Sequence, residues 1–235
     1  MDRRYDLVCF DMDGTLTTVR SSWRWIHDCM GVDSEPNYRA YLNGEIDEYE
    51  FMRRDIGLWT AVKPDIKLGD LAHMFQSMPL MEGIQETVAA LEDSGIHCVI
   101  VSGGIDIAAK MLQNEFGFED AVADSIEVAP DGTFTGYGIE NVDLKDKGIW
   151  VRRFQERYGV TKERTVSIGN SFTDVPMFRE SGLSIAVNCD EYTAQNADVV
   201  LETHNIADIL DHILPEDADR TPDPKYPGFT RRRSP

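Results

Sequence analysis

Short apolar runs alternate with longer amphipathic stretches over most of the chain. The run 7–10 has four consecutive apolar residues, which is typical of a strand buried on both faces of a parallel sheet. Similar runs lie at 96–101, 165–168, 183–187 and 198–201. Segments of helical period lie between or after them at 83–93, 106–116, 147–158, 174–181 and 206–214. Strands that alternate with helices of this length predict βαβ units with right-handed crossovers.

The segment from about residue 21 to residue 78 interrupts this alternation. It has no convincing strand but offers amphipathic helical stretches at 23–30, 38–42, 46–59 and 66–77. We therefore predict an α/β fold: a Rossmann-like parallel sheet core, residues 1–17 and 79–214, with a small helical cap, residues 18–78, inserted after the first strand. Ligands bind beyond the carboxyl ends of the strands in such sheets, and an insertion at that place can act as a lid.

Three local patterns add to this picture. The runs 121–128 and 133–139 flank Pro130-Asp131-Gly132, and Asp-Gly between such runs is a hairpin signal. From 215 to 235, Pro, Asp and Arg are frequent and apolar residues are few, which predicts a flexible tail. Four aromatic residues of the cap are expected mainly in a small helical core rather than on a pocket wall: Trp23, Trp25, Phe51 and Trp59.

Composition narrows the function classes. The 235 residues carry 23 Lys and Arg against 42 Asp and Glu, a net charge of −19, which argues against general binding to nucleic acids or anionic membranes. The four cysteines form no CxxC pair, so neither a zinc site nor a disulfide framework is indicated. The apolar run near the N-terminus is too short for a signal peptide or a membrane span. We expect a cytoplasmic protein, and the sequence leaves its oligomeric state open.

Two carboxylates follow the first strand. Asp11 and Asp13 stand two residues apart in Asp11-Met12-Asp13-Gly14, so a continued strand would place both on one face, where they repel each other. A divalent cation would relieve the repulsion, and Mg²⁺ binds through one or two carboxylates together with a substrate phosphate. An Asp-x-Asp-Gly segment also simply opens a turn after a strand, and alone it favours neither interpretation.

Three other polar clusters lie at predicted strand ends or helix starts. Ser102-Gly103-Gly104 offers a hydroxyl and backbone N–H groups to an anion, although such a segment is also a common plain loop. Lys147 stands at the start of a helix, where the dipole disfavours a cation, which indicates another partner; a solvated lysine is the alternative, and Lys145 is a rival. Asn170 and Asp174 supply an amide oxygen and a carboxylate, or else belong to a helix cap.

The order of these clusters resembles the haloacid dehalogenase-like superfamily of phosphohydrolases, and within it most closely the phosphoserine phosphatase group. The resemblance spans roughly residues 6–214, is continuous after residue 81 and is loose across the cap. The four family motifs correspond in order to residues 10–17, 101–106, 147–148 and 169–178 with 181–183.

The resemblance implies a reaction and a role for each matching residue. Asp11 is expected to attack phosphorus and form an aspartyl-phosphate. Asp13 is expected to protonate the leaving alcohol and then to activate the hydrolytic water. Ser102 and the N–H of Gly103 would hold the phosphoryl oxygens, while Lys147 would orient the phosphate and the nucleophile.

The resemblance also implies a Mg²⁺ site. Its expected ligands are the Asp11 carboxylate, the Asp13 main-chain carbonyl and the side chain at position 170, with Asp174 nearby or bound through water. The fourth motif of the family generally opens Gly-Asp, whereas this chain has Asn170 after the glycine. A neutral amide oxygen is still an acceptable hard ligand, but we expect lower metal affinity.

The expected partner is a small phosphorylated metabolite. In phosphoserine phosphatases, a Glu after the first motif reads the substrate amine and an Arg of the cap reads its carboxylate. An ungapped alignment places Arg20 and Asp55 at these positions, so both charges are reversed, although a small shift would bring Arg53 or Arg54 into place. Arg20 is thus predicted to contact substrate, and the substrate is left open between phosphoserine and another small phosphomonoester.

These observations predict a Mg²⁺-dependent phosphatase that hydrolyses a small phosphomonoester through an aspartyl-phosphate. A phosphomutase or phosphotransferase would share the nucleophile and differ only in the acceptor. A phosphate-binding module that has lost turnover through Asn170 is the alternative from another class, but such a module has no need of a nucleophile beside a general acid. The five histidines have no metal-ligand spacing and receive no role.

Overall fold

The computed structural model of the chain describes residues 4–215 and places seven strands in one sheet within that range. The strands are β1 (Leu7–Phe10), β2 (His97–Ile105), β3 (Asp120–Val128), β4 (Phe134–Ile139), β5 (Thr165–Gly169), β6 (Leu183–Val187) and β7 (Val199–Leu201). Their order is β4-β3-β2-β1-β5-β6-β7, and all neighbours are parallel except the hairpin of β3 and β4. The predicted α/β fold and hairpin are confirmed. Because β1 is central, the residues after it lie in the middle of the carboxyl edge.

Helices cover both faces of the sheet and form the insertion. Within the described residues they are α1 (Ser22–Met30), α2 (Glu35–Leu42), α3 (Glu48–Val62), α4 (Leu68–Phe75), α5 (Ile84–Asp93), α6 (Asp106–Phe116), α7 (Gly148–Tyr158), α8 (Val175–Arg179), α9 (Glu191–Ala194) and α10 (Leu210–Ile213). Short 3₁₀ turns lie at Lys162–Arg164, Phe172–Asp174 and Ile206–Ile209. None of the helices in residues 4–215 has the length and apolar character needed to cross a bilayer.

The continuous apolar run of β1 is explained by burial on both faces. Val8 and Phe10 belong to a large core that also contains residues of α5, α6 and the insertion. Leu7 and Cys9 belong to a second core, where they join Val151 of α7. Since successive side chains of a strand point to opposite faces, both sets must be apolar, and the usual alternation with polar residues is absent.

The insertion between β1 and α5 is helical, as predicted. Its buried residues Ile26, Ile56, Trp59 and Leu71 belong to the same core cluster as Phe10, so the helices α1 to α4 pack against the sheet core rather than standing apart from it. We call these four helices the cap. The exact division into core residues 1–17 and 79–214 and cap residues 18–78 stays a prediction.

Two connecting segments join the cap to the sheet, and they are hydrogen-bonded to each other. Thr17 and Leu80 form an antiparallel bridge. The N–H of Thr18 donates to the carbonyl of Pro79 at 3.0 Å, and the N–H of Met81 donates to the carbonyl of Leu16 at 2.9 Å. The chain therefore leaves and re-enters the core at one place.

Three predicted boundaries differ from the structure. β2 continues to Ile105, so Ser102-Gly103-Gly104 is extended rather than a loop after the strand, although its register with β3 shifts between Val101 and Ile105. The predicted helices 174–181 and 206–214 are each divided into a 3₁₀ turn and a short α-helix, such as Ile206–Ile209 followed by α10. The tail predicted for 215–235 lies, apart from Pro215, outside the described residues.

Candidate active site

A lysine and two carboxylates form the centre of the site. The Nζ atom of Lys147 donates to Oδ1 of Asp11 at 2.8 Å and to Oδ1 of Asp174 at 2.7 Å. The three residues are 2%, 3% and 0% exposed, respectively. A buried lysine between two buried carboxylates is costly unless each charge is compensated, and this geometry provides that compensation. We call Asp11, Lys147 and Asp174 the catalytic cluster.

Each member of the catalytic cluster is delivered by the end of an element. Asp11 follows β1, Lys147 directly precedes α7, and Asp174 ends the 3₁₀ turn after β5. Oδ2 of Asp174 accepts backbone N–H groups of Asn170 at 2.9 Å and Ser171 at 3.0 Å, which fixes that carboxylate in place. The position of Lys147 at a helix start indicated a partner other than the helix, and Asp11 and Asp174 are such partners.

The charges of the catalytic cluster shift one another's ionisation. Burial raises the pKa of Asp11, Asp174 raises it further, and Lys147 opposes both effects. Burial alone would lower the pKa of Lys147, but Asp11 and Asp174 outweigh it and raise the pKa of the lysine. Lys147 therefore stays positively charged and keeps one cation where a dianionic phosphate would be drawn.

Asp13 lies beside the catalytic cluster and has its own hydrogen bonds. Its Oδ2 accepts the backbone N–H of Ser22 at 2.8 Å and the Ser22 hydroxyl at 2.9 Å. Its Oδ1 is buried and has no hydrogen-bond partner among the described residues. Burial raises the pKa of Asp13 to about 6, against the two bonds from Ser22, which lower it. One oxygen is thus anchored and the other is available.

Ser102, Gly103 and Gly104 pass close to these residues at the end of β2. Ser102 is 1% exposed, and its Oγ accepts the N–H of Gly104 at 3.0 Å. A Cβ on Gly104 would lie 2.6 Å from Oδ2 of Asp13, so only glycine allows this approach. A Cβ on Gly103 would lie 2.3 Å from the side chain of Leu144, which shows equally tight packing. The predicted phosphate-binding segment therefore lies next to Asp13.

Asn170 contacts the loop that carries the two aspartates. A Cβ on Gly14 would lie 2.1 Å from Nδ2 of Asn170, so the amide packs directly against that glycine. The donors near this point are the hard oxygens of Asp11, Asp13 and Asn170, and Oδ1 of Asp13 is buried without a partner. This donor set fits Mg²⁺. In residues 4–215 no three Asp, Glu, His or Cys side chains form a metal-binding group.

A cavity of about 510 Å³ lies among the first three cap helices and the segment before them. We call it the cap pocket. Ser21 and Trp23 line it, while Ser22 bonds to Asp13 and the Trp23 indole N–H donates to the carbonyl of Gly103 at 3.2 Å, so the pocket lies beside residues that contact Asp13 and the end of β2. Its lining residues are Val19, Arg20, Ser21, Trp23, Arg24, Trp25, His27, Asp28, Ser34, Glu35, Tyr38, Phe51 and Asp55.

The cap aromatics divide between core and pocket. Trp59 is fully buried in the core, as predicted, and stacks on Trp23 with ring centroids 5.4 Å apart. Trp23, Trp25 and Phe51 line the cap pocket, and the two tryptophans also pack against the core. The expectation that these side chains mainly form a core therefore holds in full only for Trp59.

A buried hydrogen-bond network occupies the cap, and sequence reasoning missed it. The Trp59 indole N–H donates to Nδ1 of His27 at 2.8 Å, so Nε2 of His27 carries the proton and donates to Oδ2 of Asp55 at 3.0 Å. The Asn37 amide donates to Oδ1 of Asp55 at 2.8 Å. We call these four residues the cap network. His27, which received no role, is 1% exposed and orders the position that aligns with the family's cap arginine.

The arginines that the alignment offered as substrate contacts lie in different parts of the cap. Arg20 lines the cap pocket. Arg53 and Arg54 are exposed and both pair with Glu50 on α3, and neither lines the pocket. A small shift in the alignment therefore does not bring a cation to the place of Asp55.

Family comparison agrees with this site. The model for haloacid dehalogenase-like hydrolases matches residues 8–179, which contain Asp11, Asp13, Ser102, Lys147 and Asp174. The chain belongs to this family. Membership of this family explains the parallel sheet and the residues that meet at its carboxyl edge. The predicted resemblance to the haloacid dehalogenase-like hydrolases is confirmed.

Individual relatives show to which group within the family the chain is similar. The chain is 26% identical to the phosphoserine phosphatase of Methanocaldococcus jannaschii over 217 residues, which are 91% of this chain and 100% of that protein. It is 28% identical to the phosphoserine phosphatase of Idiomarina loihiensis over 214 residues, 87% and 91% of the two chains. A substrate-bound phosphoserine phosphatase structure superimposes with a TM-score of 0.76 at 25% identity, covering 90% of this chain and 100% of that one. Within its family, the chain is thus similar to phosphoserine phosphatases.

Proposed function

We propose that this hydrolase is a Mg²⁺-dependent phosphatase that cleaves a small phosphomonoester through an aspartyl-phosphate. The observation that carries the proposal is the separation of two aspartates: Asp11 is bound by Lys147, and Asp13 is bound by Ser22. A nucleophile and a general acid need such different surroundings. The similarity to proteins named phosphoserine phosphatase supports the assignment.

Asp11 is the proposed nucleophile. Lys147 binds its Oδ1, which leaves Oδ2 to attack phosphorus. As the bond from Oδ2 to phosphorus forms, the bond from phosphorus to the ester oxygen breaks, and Asp13 gives its proton to that oxygen. The products of this step are the aspartyl-phosphate and the free alcohol.

Asp13 then acts as the base. Water attacks phosphorus, Asp13 takes the proton of the water, and the bond from phosphorus to Asp11 breaks to release inorganic phosphate. Ser102 is proposed to hold a phosphoryl oxygen: its Oγ accepts the N–H of Gly104, and its hydroxyl proton would be donated to the phosphoryl group. The Gly103 N–H is proposed to do the same.

Mg²⁺ is the proposed cofactor. Asp11, the main-chain carbonyl of Asp13 and Asn170 are the residues that would hold it, and when bound it supplies positive charge that neutralises the phosphate. Asp174 is not proposed as a direct metal ligand, because one of its oxygens binds Lys147 and the other accepts the backbone N–H groups of residues 170 and 171. We propose that Asp174 positions Lys147.

The test combines turnover with trapping of the intermediate. Purified protein is assayed for phosphate release from benzyl phosphate and 4-nitrophenyl phosphate, with Mg²⁺ and after its removal by a chelator. Asp13→Asn should slow both steps by about 10²–10⁴-fold for benzyl phosphate, while a good leaving group should need no proton in the first step. Acid-quenched Asp13→Asn with 4-nitrophenyl phosphate should therefore gain the mass of one phosphoryl group at Asp11. Release of the alcohol without free phosphate in the presence of added alcohols would instead indicate a phosphotransferase, and no turnover would indicate a binding module.

A further inference from the structure

The charged groups around the cap pocket are unevenly compensated. Asp28 pairs with Arg24 at 2.9 Å, and Glu35 pairs with Arg39 at 2.8 Å. Asp55 is 2% exposed, and its two oxygens accept hydrogen bonds from the neutral side chains of His27 and Asn37. Among the described residues, Arg20 forms no salt bridge, so it is the one arginine of the pocket wall without a carboxylate partner.

Four aromatic side chains form a large part of the pocket wall. Trp23, Trp25, Tyr38 and Phe51 line a cavity of about 510 Å³, which lies within the range of pockets that enclose ring-containing ligands. An unpaired guanidinium beside flat apolar side chains favours an anionic group on a flat body. A free ammonium group would find Asp28 and Glu35 paired with arginines and both oxygens of the buried Asp55 already hydrogen-bonded.

We propose that the cap pocket binds the leaving group of the substrate, and that this group is an aromatic carboxylate without an amine. The proposal rests on the proposed function. Arg20 binds the carboxylate, the aromatic side chains contact the ring, and the phosphate reaches Asp11 past Trp23 and Ser22. Phosphoserine, which carries an ammonium group on a small aliphatic body, fits this pocket poorly.

The test uses three phosphate esters that differ only at the far end of a ring: benzyl phosphate, 4-carboxybenzyl phosphate and 4-(aminomethyl)benzyl phosphate. The methylene keeps the leaving alcohols similar, so kcat/KM reports on the pocket. The carboxylated ester should exceed the other two and phosphoserine by about tenfold or more, as a charge-assisted hydrogen bond predicts. Arg20→Gln should abolish that preference, so that the carboxylated ester loses its advantage over benzyl phosphate.

Arg53→Gln is the matched control. It removes the same charge from the cap, but Arg53 lies outside the pocket and its partner Glu50 keeps Arg54. Equal effects of the two variants, or no preference for the carboxylated ester, would overturn the pocket proposal while phosphatase activity remained.

A binding measurement separates the pocket from the chemistry. Trp23 and Trp25 report on the pocket by fluorescence, and 4-(hydroxymethyl)benzoate, the expected product alcohol, is the probe. Its Arg20-dependent binding in a protein without turnover would retain the pocket and reject the proposed function. A failure of the probe to bind would reject the pocket.

A second inference rests on Ser22. Its hydroxyl accepts the N–H of Ile105 at 2.9 Å, so its single proton must be donated to Oδ2 of Asp13. Together with the Ser22 N–H, it engages Oδ2 and leaves the buried, unpartnered Oδ1 as the oxygen for proton transfer. We infer that Ser22 is a positioning residue for Asp13. It also links the first turn of α1, a cap helix, to the end of β2.

The chain offers a control with the same bonding pattern. At the opposite end of the sheet, the N–H and hydroxyl of Ser184 donate to Oδ2 of Asp198 at 2.8 and 2.7 Å, and the Asp198 N–H donates back to the hydroxyl at 2.9 Å. Ser22→Ala and Ser184→Ala therefore remove equivalent hydrogen bonds, one at the site and one far from it.

The readout is the rate of the first chemical step in rapid-quench experiments. Ser22→Ala should slow alcohol release from benzyl phosphate by about tenfold and leave release from 4-nitrophenyl phosphate within about twofold, because only the poor leaving group needs the proton. Ser184→Ala should change neither rate. Equal losses on both esters, or losses matched by Ser184→Ala, would show that Ser22 acts only through stability.

Discussion

The catalytic cluster and the cap pocket are built in opposite ways. In the catalytic cluster, Asp11, Lys147 and Asp174 are at most 3% exposed and are bonded to one another. In the cap pocket, Arg20 is exposed and carries an uncompensated charge on the segment that leads into the cap. The comparison teaches that the proposed chemistry depends on burial and mutual pairing, whereas Arg20 of the pocket can change without disturbing a buried charge.

The largest effect is expected at the nucleophile. Asp11→Asn should reduce turnover by about a thousandfold or more, because an amide does not attack phosphorus. The fold should persist, since Lys147 keeps Asp174 as a partner. Phosphate release and circular dichroism of the purified variant check both statements. Turnover within tenfold of wild type would contradict the assignment of Asp11.

The next effect tests the pairing that distinguishes the catalytic cluster. Lys147→Met leaves two buried carboxylates without their cation, which should lower the free energy of unfolding by about 3–5 kcal/mol. Urea denaturation measures this change. Arg20→Gln is the comparison from the cap pocket and should change stability by less than about 0.5 kcal/mol. Similar losses in the two variants would remove the distinction between the regions.

A smaller effect is expected at the metal position. Asn170→Asp adds a carboxylate where the family generally has one, so Mg²⁺ should half-saturate activity at about tenfold lower concentration, roughly 1.4 kcal/mol. The measurement is a Mg²⁺ titration at fixed ionic strength, with Asn170→Ala as a third protein. Identical titrations of all three would mean that position 170 does not contact the metal.

The smallest effect concerns the contact between cap and hairpin. Burial, together with the nearby carboxylates of Asp124, Glu140 and Asp143, raises the pKa of Glu48 in α3 to about 8, and Lys145 opposes these effects. Because this pKa exceeds the unfolded value of 4.5, the folded protein binds more protons between the two, and stability falls as pH rises through that interval.

Glu48→Gln should therefore be more stable than wild type at pH 8, and the difference should shrink toward pH 5. Urea denaturation of both proteins at several pH values gives the comparison. Stability curves that run parallel from pH 5 to pH 8 would show that Glu48 titrates normally in the folded state.

Much of the fold was predictable because it rests on local patterns. The predicted bounds of β1 and α6 are those observed, since a doubly buried strand and an amphipathic helix leave clear hydrophobic periods. The end of β2 was not predictable. Ser102, Gly103 and Gly104 have the composition of a loop, but they continue the strand, and the pairing of β2 with β3 shifts register there. Local secondary-structure propensity carries no information about tertiary contacts such as the packing of Gly103 against Leu144.

The site residues likewise divide into those that the sequence predicted and those that it did not. The helix start favoured Lys147 but left Lys145 as a rival, and the match to the third family motif selected Lys147. The structure shows Lys147 buried and Lys145 exposed. Ser22 and His27 were missed. Their partners Ile105 and Asp55 lie 83 and 28 residues away, and bonds between separate elements leave no spacing signal in one sequence.

The paired connections at the base of the cap have a consequence for how such a protein changes over generations. Thr17 and Leu80 are bridged, so the sixty-odd residues between them begin and end at neighbouring points of the core. A different segment spliced between these two codons would leave β1 and its aspartate where they are. Genetic exchange at this position can therefore replace the cap while Asp11, Lys147 and Asp174 are inherited unaltered, provided that the new segment again supplies a donor to Asp13 as Ser22 does.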